Sequence, residues 1–117
     1  MLKGIGIDIT TIARFKNPKN KKTFLKNFLN DREISQADIL KNKSRYWATM
    51  FAIKEAVTKA FKIGFHAGSY LHDITINKNF NVDLCGILSK TSKRKTEILV
   101  SKTSSEKYAL GLALTYE

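Results

Sequence analysis

The sequence predicts an α+β fold over residues 1–117, one long helix packed across a mainly antiparallel sheet. Three observations predict it. A strand-like run, "GIGIDITT", comes before any helical pattern. The clearest helical pattern, "SRYWATMFAIKEAVTKAFKIG", fills the middle of the chain. Short strand-like runs then follow one another to residue 116.

Each element has its own signature. In "GIGIDITT" the two-residue period puts Ile5, Ile7 and Ile9 on one face, expected to meet a core. Gly4, Gly6, Asp8 and Thr10 share the other, which has almost no bulk except a charge. "KKTFLKNFLNDREI" predicts one helix with the stripe Phe24, Leu25, Phe28 and Leu29, flanked by Lys21, Lys22 and Lys26. "REISQADILKN" predicts a second, short helix. In the long helix Ser44 is the expected N-cap and Gly64 the left-handed stop. Trp47, Met50, Phe51, Val57 and Phe61 supply its apolar positions.

"DITI", "FNVDLCGIL" and "TEILVS" read as strands. In "YALGLALTY" large residues alternate with Ala109, Gly111, Ala113 and Thr115, a smooth face for a helix to press against. "KTSSEK" is the hairpin turn before it.

No repeat or linker divides the 117 residues, so one domain is expected. The single cysteine, Cys85, excludes a disulfide within the chain and is expected to be buried. With no signal-peptide pattern and no apolar run near ~18 residues, a cytoplasmic protein without a membrane segment is expected. The charge balance is lopsided: 21 Lys+Arg face 10 Asp+Glu, and residues 1–60 alone hold 13 basic and 5 acidic groups. An acidic partner or a phosphate-bearing substrate follows from that excess. An AT-rich genome also yields such a composition, so charge alone does not single out a partner.

On the long helix Phe51, Glu55, Thr58, Lys59 and Lys62 fall on one side. Alone, Glu55 and Lys59 read as a solvated i,i+4 pair. Asp8 sharpens the reading. If its strand packs beside the helix, Asp8 and Glu55 can share a divalent cation that relieves their repulsion. Mg²⁺ suits few protein carboxylates, retained waters and substrate phosphate oxygens. The glycines beside Asp8 are expected to leave room for that ion and a diphosphate.

Two phosphate-binding motifs fail. The loop of the actin-like ATPases needs a glycine after the aspartate, and a dinucleotide fingerprint needs a third glycine and a following helix. His66 and His72 lie in a connection without a partnered serine or cysteine and read as surface residues.

"GIGIDIT", "FAIKEAVTKAF", "DITI" and the closing "VSKTSSEKYALGLAL", in this order, resemble the small holo-[acyl-carrier-protein] synthases, a family of phosphopantetheinyl transferases. The resemblance implies the 4′-phosphopantetheinyl transferase fold. It also implies transfer of 4′-phosphopantetheine from coenzyme A to a serine of apo acyl carrier protein, with adenosine 3′,5′-bisphosphate released. It implies a homotrimer with active sites between subunits. The family's metal-binding acids fall on Asp8 and Glu55, and its phosphate-binding lysine on Lys59, with Thr58 and Lys62 beside it. Its carrier-protein arginine falls on Arg14. Lys21, Lys22, Phe24 and Lys26 are expected to extend that docking surface, and Phe28 is a further apolar anchor.

The chain departs from the pattern at Ser104, where relatives often have histidine, with Lys102 a candidate replacement for the coenzyme A contact. Met50 and Thr11 also differ, and "NKNFNVDLCG" replaces a "GxP" turn. The competing class is a small basic nucleic-acid-binding module, with Trp47 and phenylalanines stacking on bases. The helical core spacing of those aromatics and the lack of a binding motif disfavour it, so no nucleic-acid partner is expected.

Overall fold

The computed structural model describes residues 1–62, 71–85 and 96–117. Strand β1 (Leu2–Thr11) and strand β4 (Glu97–Ser104) flank β5 (Tyr108–Tyr116) in a three-stranded antiparallel sheet of order β1-β5-β4. β2 (Ile74–Ile76) and β3 (Val82–Leu84) form a separate antiparallel ribbon. Helices α1 (Lys21–Lys26), α2 (Asp31–Gln36) and α3 (Lys43–Ala60) lie between β1 and the ribbon in sequence. α3 crosses one face of the large sheet, the expected α+β arrangement.

The packing of α3 explains the glycines of β1. Ala52, Ala56 and Ala60 follow each other at every fourth residue, all buried, and sit over Gly111, Gly6 and Gly4. A Cβ at Gly6 would lie 1.8 Å from the Ala56 carbonyl oxygen, and one at Gly4 equally close to that of Ala60. The glycines therefore make room for a helix backbone and not for an ion or a diphosphate, which corrects the sequence-based expectation. The small residues of β5 do what their alternation predicts: Ala109, Gly111, Ala113 and Thr115 are buried.

The opposite face of the sheet is the second correction. Ile5, Ile7 and Ile9 are 64%, 57% and 60% exposed, as the interior of this chain lies on the glycine side. With Leu2, Leu99 and Tyr108 they leave the sheet's outer face apolar and open.

Local chemistry resets the helix boundaries. The predicted helix from Lys21 breaks after Lys26, because Asn30 starts α2 with a capping box. Its side chain accepts from the Glu33 N–H at 2.9 Å, and the Asn30 N–H donates to Glu33 Oε1 at 3.1 Å. Asn42, not Ser44, caps α3 by accepting from the Arg45 N–H; the Ser44 hydroxyl donates to that same Asn42 oxygen. α3 ends before the left-handed Lys62, and the predicted stop at Gly64 lies outside the described residues, as does His66.

The core joins the underside of α3 to the first helices. Phe15 and Phe28 pack against each other and each against both Phe24 and Phe51, at ring separations of 5.4–5.7 Å and in tilted or edge-on geometry. Lys54 is buried completely in this layer. Its Nζ donates to Glu33 Oε1 and to the Phe28 carbonyl, both at 2.6 Å, while Glu33 Oε2 accepts from the Ile76 N–H at 3.1 Å. The ion pair and its backbone hydrogen bonds thus tie α2, α3, β2 and the turn after α1 together. Cys85 is exposed, contrary to expectation, its thiol donating to the Asp73 carbonyl.

Candidate active site

Asp8 sits in β1 opposite Gly111, on the α3 side of the sheet, and is partly buried there. Two turns of α3 project toward it. Lys59 reaches over the sheet edge and donates from Nζ to Asp8 Oδ1 at 2.9 Å and to the Ile7 carbonyl at 3.1 Å. Glu55, one turn earlier, is half-buried and close enough to feel the Asp8 charge. Its pKa is raised, first by burial and then by Asp8, against the opposing pull of Lys59 and Arg14. Arg14, in the 3₁₀ turn Ala13–Phe15 after β1, lays its guanidinium over the Phe51 ring at 4.8 Å. One flank of α3 therefore gathers two carboxylates and two cations from three segments of the chain, β1, the 3₁₀ turn and α3 itself.

Two repelling carboxylates, one desolvated, are a fit for a hard divalent cation. Among the described residues no group of three or more acidic, histidine or cysteine side chains could hold a metal. A cation here would take the carboxylates of Asp8 and Glu55 and complete its shell with waters or ligand oxygens.

Thr58 does not join this flank. It is fully buried and its hydroxyl donates to the Glu55 carbonyl at 2.7 Å, so it reaches no ligand. Lys62 is exposed just beyond the helix, in the left-handed conformation.

Lys102 and Ser104 lie on the other flank. Lys102 pairs with Gly111, which pairs with Asp8, so the three share one row of the sheet. Asp8 and Lys102 stand two strand spacings apart, roughly 10 Å. The backbone of α3 at Ala52 and Ile53 covers the Gly111 between them. A cavity of about 360 Å³ opens on the Lys102 side, lined by Arg45, Tyr46, Met50, Phe80, Lys102 and Ser104. The Lys102 ammonium lies 5.1 Å from the Phe80 ring centre. Burial, then the charge of Glu33, pushes the Tyr46 hydroxyl up to about 12, which keeps it a neutral donor. Arg45, Tyr46 and Phe80 escaped the sequence reading, having no spacing that ties them to Lys102. Their shared cavity exists only once β4 packs beside α3.

The expected docking residues divide. Lys21, Lys22 and Lys26 are exposed and line a groove of about 560 Å³ between α1, α2 and the start of α3, with Lys43 and Trp47. Phe24 is half-buried in the aromatic cluster and Phe28 is 2% exposed, so Phe28 offers no surface anchor. Trp47 is buried beneath Lys21, whose Nζ stands 4.8 Å over its ring, and presents no stacking platform for a base. His72 is exposed, as expected, within 3.3 Å of Asp73. No helix among the described residues is long and apolar enough to cross a membrane.

Known proteins share this architecture. Residues 4–113 match the family model of the 4′-phosphopantetheinyl transferase superfamily. The holo-[acyl-carrier-protein] synthase of Clostridium acetobutylicum is 39% identical over 80 residues, which cover 68% of this chain and 64% of the relative, short of two thirds of its length. The Neisseria meningitidis holo-[acyl-carrier-protein] synthase superposes with a TM-score of 0.81 at 24% identity, over all of both chains. The Helicobacter pylori holo-[acyl-carrier-protein] synthase, solved in complex with coenzyme A, gives 0.75 at 29% identity over 96% of this chain and 99% of that one. The chain belongs to the holo-[acyl-carrier-protein] synthase family of the 4′-phosphopantetheinyl transferase superfamily.

Proposed function

We propose that the protein transfers 4′-phosphopantetheine from coenzyme A to a serine hydroxyl of apo acyl carrier protein, with Mg²⁺ as cofactor. The observation that carries this reading is the convergence of Asp8 and Glu55 from β1 and α3, with Lys59 and Arg14 beside them. Asp8 and Glu55 would hold the Mg²⁺, which would supply charge neutralisation on the diphosphate and orientation for in-line attack. The serine oxygen bonds to phosphorus, the bond to the adenosine bisphosphate breaks, and the serine loses its proton. Glu55 or a water at the site takes that proton. Lys59 meets the negative charge that accumulates on the departing bisphosphate, with Lys62 a second cation nearby.

The coenzyme A site needs both flanks of α3, yet one chain keeps them on opposite sides of the helix. A homotrimer with sites between subunits resolves this: Asp8, Glu55 and Lys59 of one chain face Lys102, Ser104 and the cavity of a neighbour. The open apolar face of Ile5, Ile7 and Ile9 is the surface such an assembly would cover. Arg14 and the lysines at 21, 22 and 26 then remain as the basic surface for the acidic carrier protein, with Phe24 at its edge.

Mass spectrometry tests the reaction directly. Apo acyl carrier protein incubated with this chain, coenzyme A and Mg²⁺ gains the mass of one phosphopantetheine arm, and the Asp8→Asn variant abolishes the gain. An unmodified carrier protein with the native chain would refute the activity.

A further inference from the structure

Lys59 occupies a position that bears on how the site is loaded. Its ammonium is held by two acceptors on β1, Asp8 Oδ1 and the Ile7 carbonyl, although its side chain is 51% exposed and free to extend into water. Asp8 is only 16% exposed, so a large part of what its carboxylate can reach is this ammonium. Arg14, the other cation of the cluster, parks over the Phe51 ring instead.

An ammonium and a hard divalent cation make the same demand on a carboxylate oxygen, and at contact they repel each other. We propose that Lys59 is a built-in counter-ion that holds Asp8 in the metal-free protein and must leave Asp8 Oδ1 when the divalent cation binds. The inference rests on the reading of Asp8 and Glu55 as the metal carboxylates. The long flexible stem of Lys59 allows the departure without any shift of α3, whose backbone is locked onto the glycines beneath it. The freed ammonium then faces the phosphate oxygens of incoming coenzyme A. Cation and diphosphate thereby load the site with mutual support, because each removes a reason for Lys59 to stay on Asp8.

The pair lowers metal affinity by the fraction of molecules in which Asp8 is engaged, and a partly exposed pair of this kind corresponds to about a two- to fivefold effect. Titration with Mn²⁺, followed by the electron paramagnetic resonance of the free ion, measures it without coenzyme A or turnover. Lys59→Met is expected to bind Mn²⁺ about two- to fivefold more tightly than the native chain. Arg14→Gln removes a nearby cation without vacating Asp8 and is expected to gain less. In the native protein, saturating Mg²⁺ is expected to shift the Lys59 ¹⁵Nζ resonance, a readout that does not depend on any variant folding. Equal affinity in the native chain and Lys59→Met, an equal gain in Arg14→Gln, or an unmoved Lys59 resonance would overturn the exchange while leaving the metal site standing. Failure of every form to bind Mn²⁺ would overturn the Asp8–Glu55 metal reading, and the exchange with it.

Discussion

Glu55 shows how much the placement of one residue costs. Burial and the neighbouring Asp8 raise its pKa above the ordinary 4.5, so the folded protein holds that proton more firmly than the unfolded chain. The stability this confers is complete at pH values below the unfolded pKa and is lost as pH rises through the raised folded value. At pH 7 the ionised carboxylate therefore opposes folding. Glu55→Gln is expected to melt higher than the native chain at pH 7, by about 1–2 °C after allowing for solvent screening at a half-exposed group. Calorimetry from pH 7 down to pH 4 should show that gap closing; a constant gap would mean that the charge is not its cause. Asp8, Glu55 and Lys59 were legible from the sequence because a strand and a helical repeat fix which way each points. Thr58 misled, because a helical wheel cannot show that a hydroxyl is buried and turned back onto its own helix.

Among the elements, α3 is held by two devices of opposite chemistry. On the sheet side an alanine ridge sits on glycines; on the other side Lys54 enters a dry layer and meets Glu33. Burial lowers the Lys54 pKa from 10.5 against the raising effect of its partner's charge. Lys54→Met is expected to cost about 3–5 kcal/mol in urea unfolding, since it strands the Glu33 carboxylate in the interior. Adding Glu33→Gln should recover part of that loss by removing the stranded charge. A loss under about 1 kcal/mol for Lys54→Met would place the pair outside the energetics of the fold. This pairing was not legible. A lysine beside a glutamate on a charged helix reads as solvated, and its partner lies 21 residues away behind a helix break. The break itself had a visible signal, Asn30 followed three residues later by Glu33, which the longer apolar stripe outweighed. The purpose of the glycines was also in the sequence, in the alanines repeating every fourth residue along the helix. It becomes visible only when the two elements are laid together.

At the scale of the molecule the sheet has one closed and one open face. Ile7 stands on the open one, away from α3, so Ile7→Glu should leave the folded chain intact, with a stability change within about 0.5 kcal/mol. Assembly is expected to fail in that variant. If the proposed trimer is right, sedimentation should report a three-chain assembly for the native protein and single chains for the variant, while circular dichroism stays unchanged. A variant that still assembles would place the subunit contact elsewhere. The pattern of β1 correctly separated two faces but assigned the interior to the wrong one. Isoleucines on an open sheet face and isoleucines facing a core are indistinguishable in one sequence.

The pairing of β1 with β5 joins residues 2–11 to residues 108–116, and α3 rests on both strands at once. During synthesis the first strand therefore leaves the ribosome long before its mate exists. The alanine ridge of α3 likewise waits, with no second strand to receive it, until residue 116 has emerged. Such distant pairing makes for slow maturation. Until β5 emerges the nascent chain carries the isoleucines of β1 unmatched, a period when a holding chaperone would find the most to grip.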